Sequence, residues 1–309
     1  MKKYILLLAS LVLVVTLASC SNNSNPKQKK TTKDDEMKVG EMMQEDKEHV
    51  WFLMHDKKTE TLESESVVDE FIITKNGKMK IYQAKTIPQQ NLGELLKKDE
   101  KSLIKDIKEQ DKWYFKMKTA EMIGNTNADI KNAKDLIKKG YDEYSPSRDS
   151  HGGNDYAVIQ KELHNKSPEE SLKELEKNKN DLESRKYEAP KSQKVDLRSV
   201  GSGKLRISTD RKFNFPKAFQ TNNGEYNTFS NPVNPKEISG KKVAGLSVYD
   251  EDEGLEEGTD PFLVTTVDNK IKKVLFDKPN DPAIKDNQEY KHKKGSLYRQ
   301  YLILRMMLF

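Results

Sequence analysis

A single thiol is present in 309 residues, that of Cys20. A thiolate is a strong side-chain nucleophile, and a lone cysteine has no partner for a disulfide or a multi-thiolate metal site. Leu17, Ala18 and Ser19 precede it. The two small residues leave the backbone there open to close approach.

Every other constellation with chemical promise lacks a required partner. Ser150-His151-Gly152-Gly153 has the His-Gly-Gly of a lipase oxyanion segment, but the chain contains no Gly-x-Ser-x-Gly elbow to present a nucleophile. Ser102 and Lys105 stand one helical turn apart, as in Ser-x-x-Lys hydrolases, without the Lys-Thr-Gly or Ser-Asp-Asn segments that complete such sites. Asp250, Asp252 and Gly254 begin like a calcium loop. Leu255 then occupies the tight-turn glycine position and Pro261 the bidentate glutamate position. His49, His55, His151, His164 and His292 show no zinc-ligand spacing. Gly201-Ser202-Gly203-Lys204 lacks the upstream glycine of a phosphate loop and reads as a turn. Trp51, Trp113 and Tyr114 read as core residues, with one of them lining a ligand surface as the alternative. The expectation is therefore no catalytic residue, no metal and no cofactor.

The segment before Cys20 explains its placement. Lys2 and Lys3 open the chain, Ile5 to Thr16 is almost unbroken apolar sequence, and polar Ser21 to Lys33 follows the cysteine. This is the layout of a secretory signal peptide, too short in its apolar run to span a bilayer permanently. Leu17-Ala18-Ser19-Cys20 resembles the lipobox of bacterial lipoproteins. The resemblance implies removal of residues 1–19, a diacylglycerol thioether on the Cys20 sulfur and an acyl (palmitate-type) chain on the new amino terminus. At about 0.8 kcal/mol per buried methylene, two long chains set an upper bound on the anchoring free energy on the order of 20 kcal/mol. The Lys/Asn-rich style without disulfides resembles the staphylococcal-type lipoproteins of Gram-positive bacteria. The implied partners are the membrane, through the lipid on Cys20, and the lipoprotein-processing enzymes.

Composition is compatible with export. Charged residues make up 34% of the chain and hydrophobic residues 34%, so a compact core accounts for only part of it. The net charge of +5 is spread through mixed Lys, Glu and Asp segments, a pattern of solvated surface rather than of a nucleic-acid partner.

The elements follow from periodicity. Residues 20–36 read as the lipidated cysteine and a disordered tether. His49 to Met54, Val67 to Thr74 and Met79 to Gln83 are aromatic and β-branched runs, and Asn76-Gly77 is a hairpin turn between the last two. Leu92, Leu95, Leu96, Leu103, Ile104 and Ile107 recur at helical spacing and predict one or two amphipathic helices to about Tyr114. A shorter helix is expected over Ala128 to Lys139, stopped by Gly140. This assigns an α+β domain to 37–140: a small antiparallel sheet with amphipathic helices. Residues 141–186 are a loop and a charged connecting helix, started by Ser167 and Pro168.

From Val195 the pattern turns to β, with Val195–Val200, Lys204–Ser208, Lys242–Tyr249, Phe262–Val267 and Ile271–Phe276 as strands. Asp268-Asn269 is expected to turn the last hairpin. A second, mainly β domain is assigned to 187–286. In the remainder, 287–309, the run Tyr298 to Phe309 is abruptly apolar, either a last strand or a truncated or frame-shifted end. The expected protein is a lipid-anchored, non-enzymatic surface or binding protein on the extracytoplasmic face of the cell membrane, contacting an envelope polymer or protein. An exported enzyme or folding factor with an unrecognised site is the alternative.

Overall fold

In the computed structural model, residues 34–56, 61–140, 163, 166–199, 204–209, 211–219, 226–248 and 260–284 are described. Cys20 with its signal segment, most of the tether, His151 and its loop, the Asp250 loop, Gly201 to Gly203 and the apolar run Tyr298 to Phe309 lie outside them. The described residues from Asp35 onward belong to one compact unit.

The unit opens with strand β1 (Glu36–Lys38) and the short helix α1 (Val39–Met43). Strand β2 (His49–Asp56) follows, and its consecutive residues Trp51, Phe52, Leu53 and Met54 are all fully buried. Alternate side chains leave a strand on opposite faces, so a continuous apolar run marks a strand covered on both sides. Strands β3 (Glu70–Lys75) and β4 (Lys78–Gln83) continue antiparallel through the expected turn. Asn76 and Gly77 there have φ of 51° and 66°. A Cβ on Gly77 would also strike the Gln44 side chain, because the turn backs onto α1 through Gly77 N–H to the Met43 carbonyl at 3.1 Å.

Helix α2 (Leu92–Leu96) and helix α3 (Glu100–Lys139) come next. The sequence predicts separate helices before Tyr114 and after Ala128; α3 is instead continuous over 40 residues, about 60 Å. Gly124, Asn125 and Asn127 are poor helix formers, but Met122, Thr126, Ile130 and Ala133 are buried on one stripe. The partner is helix α4 (Pro168–Glu183), whose Leu175 and Leu182 are fully buried in the same cluster. Helix α4 is thus core rather than only a connector. Its start has the full capping box, Ser167 with Glu170, and Gly140 ends α3 with φ of 72°.

After α4 come strands β5 (Gln193–Lys194), β6 (Leu197–Ser199), β7 (Leu205–Ser208) and β8 (Tyr226–Phe229), the last three forming an antiparallel sheet. Strands β9 (Asn231–Ile238), β10 (Lys241–Ser247) and β11 (Asp260–Thr266) then return to the first half of the chain. The main sheet has seven antiparallel strands in the order β5-β4-β3-β2-β11-β10-β9. Residues on both sides of the boundary expected at 187 therefore share one sheet, joined where Phe52 stands opposite Val264. The three expected runs pair antiparallel as β2, β3 and β4, and β5, β9, β10 and β11 extend the sheet they form. Strand β12 (Lys273–Leu275) does not form a hairpin with β11. Asp268 makes the expected local turn, accepting from Ile271 N at 3.0 Å, but β12 leaves to pair in parallel with β1.

Mixed α+β architecture results, with four helices and twelve strands among the described residues. One face of the main sheet, including Phe52, Phe71 and Val264, packs against Leu92, Leu96, Leu103 and Ile107 of α2 and α3. The other, including Trp51, Ile72 and Leu263, packs against Val39, Met43 and the small sheet. The far half of α3 runs beyond this sandwich to α4, where Phe115, Phe215 and Phe219 fill a third cluster.

Candidate functional site

Where α3 leaves the sheet, four segments converge on Asp111. Its side chain is fully buried and accepts four hydrogen bonds. Arg211 donates through Nε to Oδ1 at 3.1 Å and through Nη2 to Oδ2 at 2.9 Å, Gln83 N–H reaches Oδ1 at 2.9 Å, and the Tyr187 hydroxyl reaches Oδ2 at 2.8 Å. A carboxylate has about four lone-pair positions. Asp111 is saturated.

Arg211 is also held inward, donating to the carbonyls of Lys212 at 2.7 Å and Glu188 at 2.8 Å. Its guanidinium lies 4.1 Å from the Phe213 ring centroid. Burial first, then the Asp111 charge, pushes the Tyr187 phenol above its ordinary range. The Tyr82 phenol moves the same way, again chiefly by burial. Neighbouring Gln110, also fully buried, accepts Lys85 N–H at 3.0 Å and donates to Gln90 at 3.2 Å, fixing the loop after β4 to α3.

Above this polar node is an aromatic face. Tyr114 stacks on Phe213 with centroids 5.7 Å apart, and Phe115 stacks on Phe215 at 5.3 Å. Tyr187 meets Phe115 edge-on at 5.9 Å. Trp113, on the neighbouring edge of α3, has Lys85 Nζ 5.8 Å from its ring centroid. Trp113, Tyr114 and Phe213 are half-buried. Trp51, by contrast, is inside the sheet sandwich and donates through Nε1 to Thr74 Oγ1 at 2.9 Å.

The other sequence candidates have structural roles where they are described. Ser102 is part of the α3 N-cap: its backbone N–H donates to Asp99 Oδ1 at 3.0 Å and its Oγ to Asp99 Oδ2 at 2.6 Å. Lys105 reaches Glu109 at 3.9 Å. His49 Nε2 lies 2.9 Å from a Glu45 carboxylate oxygen. Asp277 is buried beside α1, accepting Gly40 N–H at 2.8 Å, while its Oδ1 has no donor. Burial raises its carboxyl to about 6. A Cβ on Gly40 would come within 2.6 Å of that Oδ1, so the carboxylate is packed against backbone rather than open to a substrate.

Among the described residues, no group of three or more His, Cys, Asp or Glu side chains is arranged to hold a metal ion. No described helix is long and apolar enough to cross a membrane. Sequence reading singles out Trp113 and Tyr114 but misses Asp111, Tyr187, Arg211 and Phe213. The chain matches no known protein family, no curated protein and no solved structure.

Proposed function

We propose that this chain is a lipoprotein of the extracytoplasmic face of a Gram-positive cell membrane, anchored through Cys20, whose folded unit is a non-enzymatic binding module. The structural observation in its favour is the saturation of Asp111 beneath the aromatic face. Acid–base catalysis needs a titratable group with a free position for substrate. Here the ionisable groups bond one another, and what they support is a half-buried aromatic surface suited to contact. The tether sets its working range: residues 21–35 separate Cys20 from β1 and span at most about 50 Å.

Metabolic labelling with an alkyne analogue of palmitate tests the anchor. The natural chain should be labelled and fractionate with membranes, and Cys20→Ala should lose the label. Labelled, membrane-bound Cys20→Ala protein would refute the reading.

A further inference from the structure

Among the described residues, Ile87 is the one large hydrophobic side chain left mostly in water, 71% exposed. It sits in a loop, Ala84 to Asn91, that leaves β4 and is bridged across its tip between Thr86 and Gln89. Lone exposed aliphatics are common, so its surroundings decide its meaning. Thr86 Oγ1 lies 4.0 Å from Met117 Sδ, and Lys85 Nζ lies over Trp113, so the tip is seated against the Trp113–Met117 edge of α3. Trp113 and Met117 are half-buried, and Lys112 and Lys116 beside them are exposed. From Lys112 to Ala120 the helix carries three lysines and no acid, and the loop from Ala84 to Asn91 adds Lys85 and no acid. The acids flanking this stretch of helix are paired: Asp111 with Arg211 at 2.9 Å, Glu109 with Lys105 at 3.9 Å and Glu121 with Lys118 at 3.4 Å.

We propose that this surface, the Ile87 tip with the Trp113–Met117 edge and Lys85, Lys112 and Lys116, is a second membrane contact that docks on anionic lipid. An exposed aliphatic tip, a tryptophan at its base and a collar of lysines match the layers of a bilayer interface: hydrocarbon, carbonyl region and phosphate. An anionic polymer would engage the lysines and leave Ile87 without a role. A protein partner would need a far larger complementary surface, about 800 Å² a side. A fluid bilayer needs no shape match. The contact deepens the anchoring proposal, because a unit whose first strand is tethered within about 50 Å of the anchor meets the bilayer at high effective concentration, so that the contact can be weak on its own.

The test uses the chain from Ser21 onward, which lacks the anchor and keeps the whole compact unit from Asp35. Trp51 is fully buried, so a change in tryptophan emission on adding lipid reports Trp113. Titrating vesicles of phosphatidylcholine mixed with phosphatidylglycerol should blue-shift the emission; pure phosphatidylcholine should not, and high salt should reverse the shift. Ile87→Ser should weaken partitioning about tenfold, and Lys112→Gln and Lys116→Gln about fivefold each, with unchanged circular dichroism.

Soluble polyphosphate that shifts the emission as strongly as vesicles, with Ile87→Ser silent, would overturn the lipid assignment in favour of a polyanion site. Vesicle binding with Trp113 emission unmoved would place membrane attachment elsewhere in the chain and also overturn it. Neither result touches Cys20, which stands or falls on palmitate labelling.

Discussion

Arg211→Ala is the most informative perturbation of the folded unit. It removes two of the four donors to Asp111, together with the guanidinium over Phe213 and the bonds to the carbonyls of Lys212 and Glu188. The Asp111 side chain has no exposed surface and that of Arg211 is 5% exposed, so solvent cannot replace what is lost. Breaking one partner out of such a buried pair typically costs about 3–5 kcal/mol, much of it from leaving the other charge uncompensated. The Phe213 contact adds on the order of 1 kcal/mol.

Urea unfolding of the chain from Ser21 onward, followed by circular dichroism, should show a fall of about 3–5 kcal/mol with little change in slope. Asp111→Asn/Arg211→Ala should lose less than the sum of its single variants, since neither buried charge then remains. A loss below about 1 kcal/mol in Arg211→Ala, the size of a surface pair, or strict additivity in the double variant, would refute the view that Asp111 and Arg211 act as one buried unit.

Two further outcomes follow from described contacts. Asp277 has a folded pKa of about 6 against an ordinary 3.8, raised chiefly by burial and by Asp281 and Glu41, against the lowering effects of Gly40 N–H and Lys38. Its contribution to stability is therefore complete below the ordinary value and lost as pH rises through the folded value, a swing of about 3 kcal/mol. Asp281 is held low, by Lys278 N–H and Lys38 against the opposing effect of burial, and acts below this window. Asp277→Asn should flatten the stability profile between about pH 4 and 7; urea midpoints that fall in parallel for both proteins would contradict the assignment. In α3, Gly124 is exposed and a Cβ there meets nothing within 4 Å, so Gly124→Ala should raise stability by about 0.5–1 kcal/mol. A loss in thermal unfolding would mean that the middle of α3 is not regular helix.

What could be read from sequence was local. The Asn76-Gly77 turn, the Ser167 cap and the Gly140 stop are each set by a few neighbouring residues, and each occurs where its residue types require. Strand β9 was hidden by Pro232 and Pro235, which argue against a strand in the middle of a sheet but are tolerated at an edge, where β9 lies. The middle of α3 was hidden because local propensity disfavours helix at Gly124 to Asn127, while burial against α4 overrides it. The site was half visible for the same reason. Trp113 and Tyr114 announce themselves by type, but Asp111 and Arg211 are a hundred residues apart and obey no spacing rule. Only the fold brings them together.

The pairing of β2 with β11 bears on the order in which the molecule can be completed. A chain made from its amino end exposes the Trp51–Met54 strand early, with β3 and β4 available at once on one side. Its other edge has no partner until Asp260–Thr266 has appeared, and β1 waits longer still, for Lys273–Leu275. An unfilled edge on the most apolar strand of the sheet is a template for wrong pairing. A chain made in this direction therefore passes through a stage, lasting until its final strands arrive, in which delay rather than instability is the hazard and the open edge of β2 is what must be kept from wrong partners.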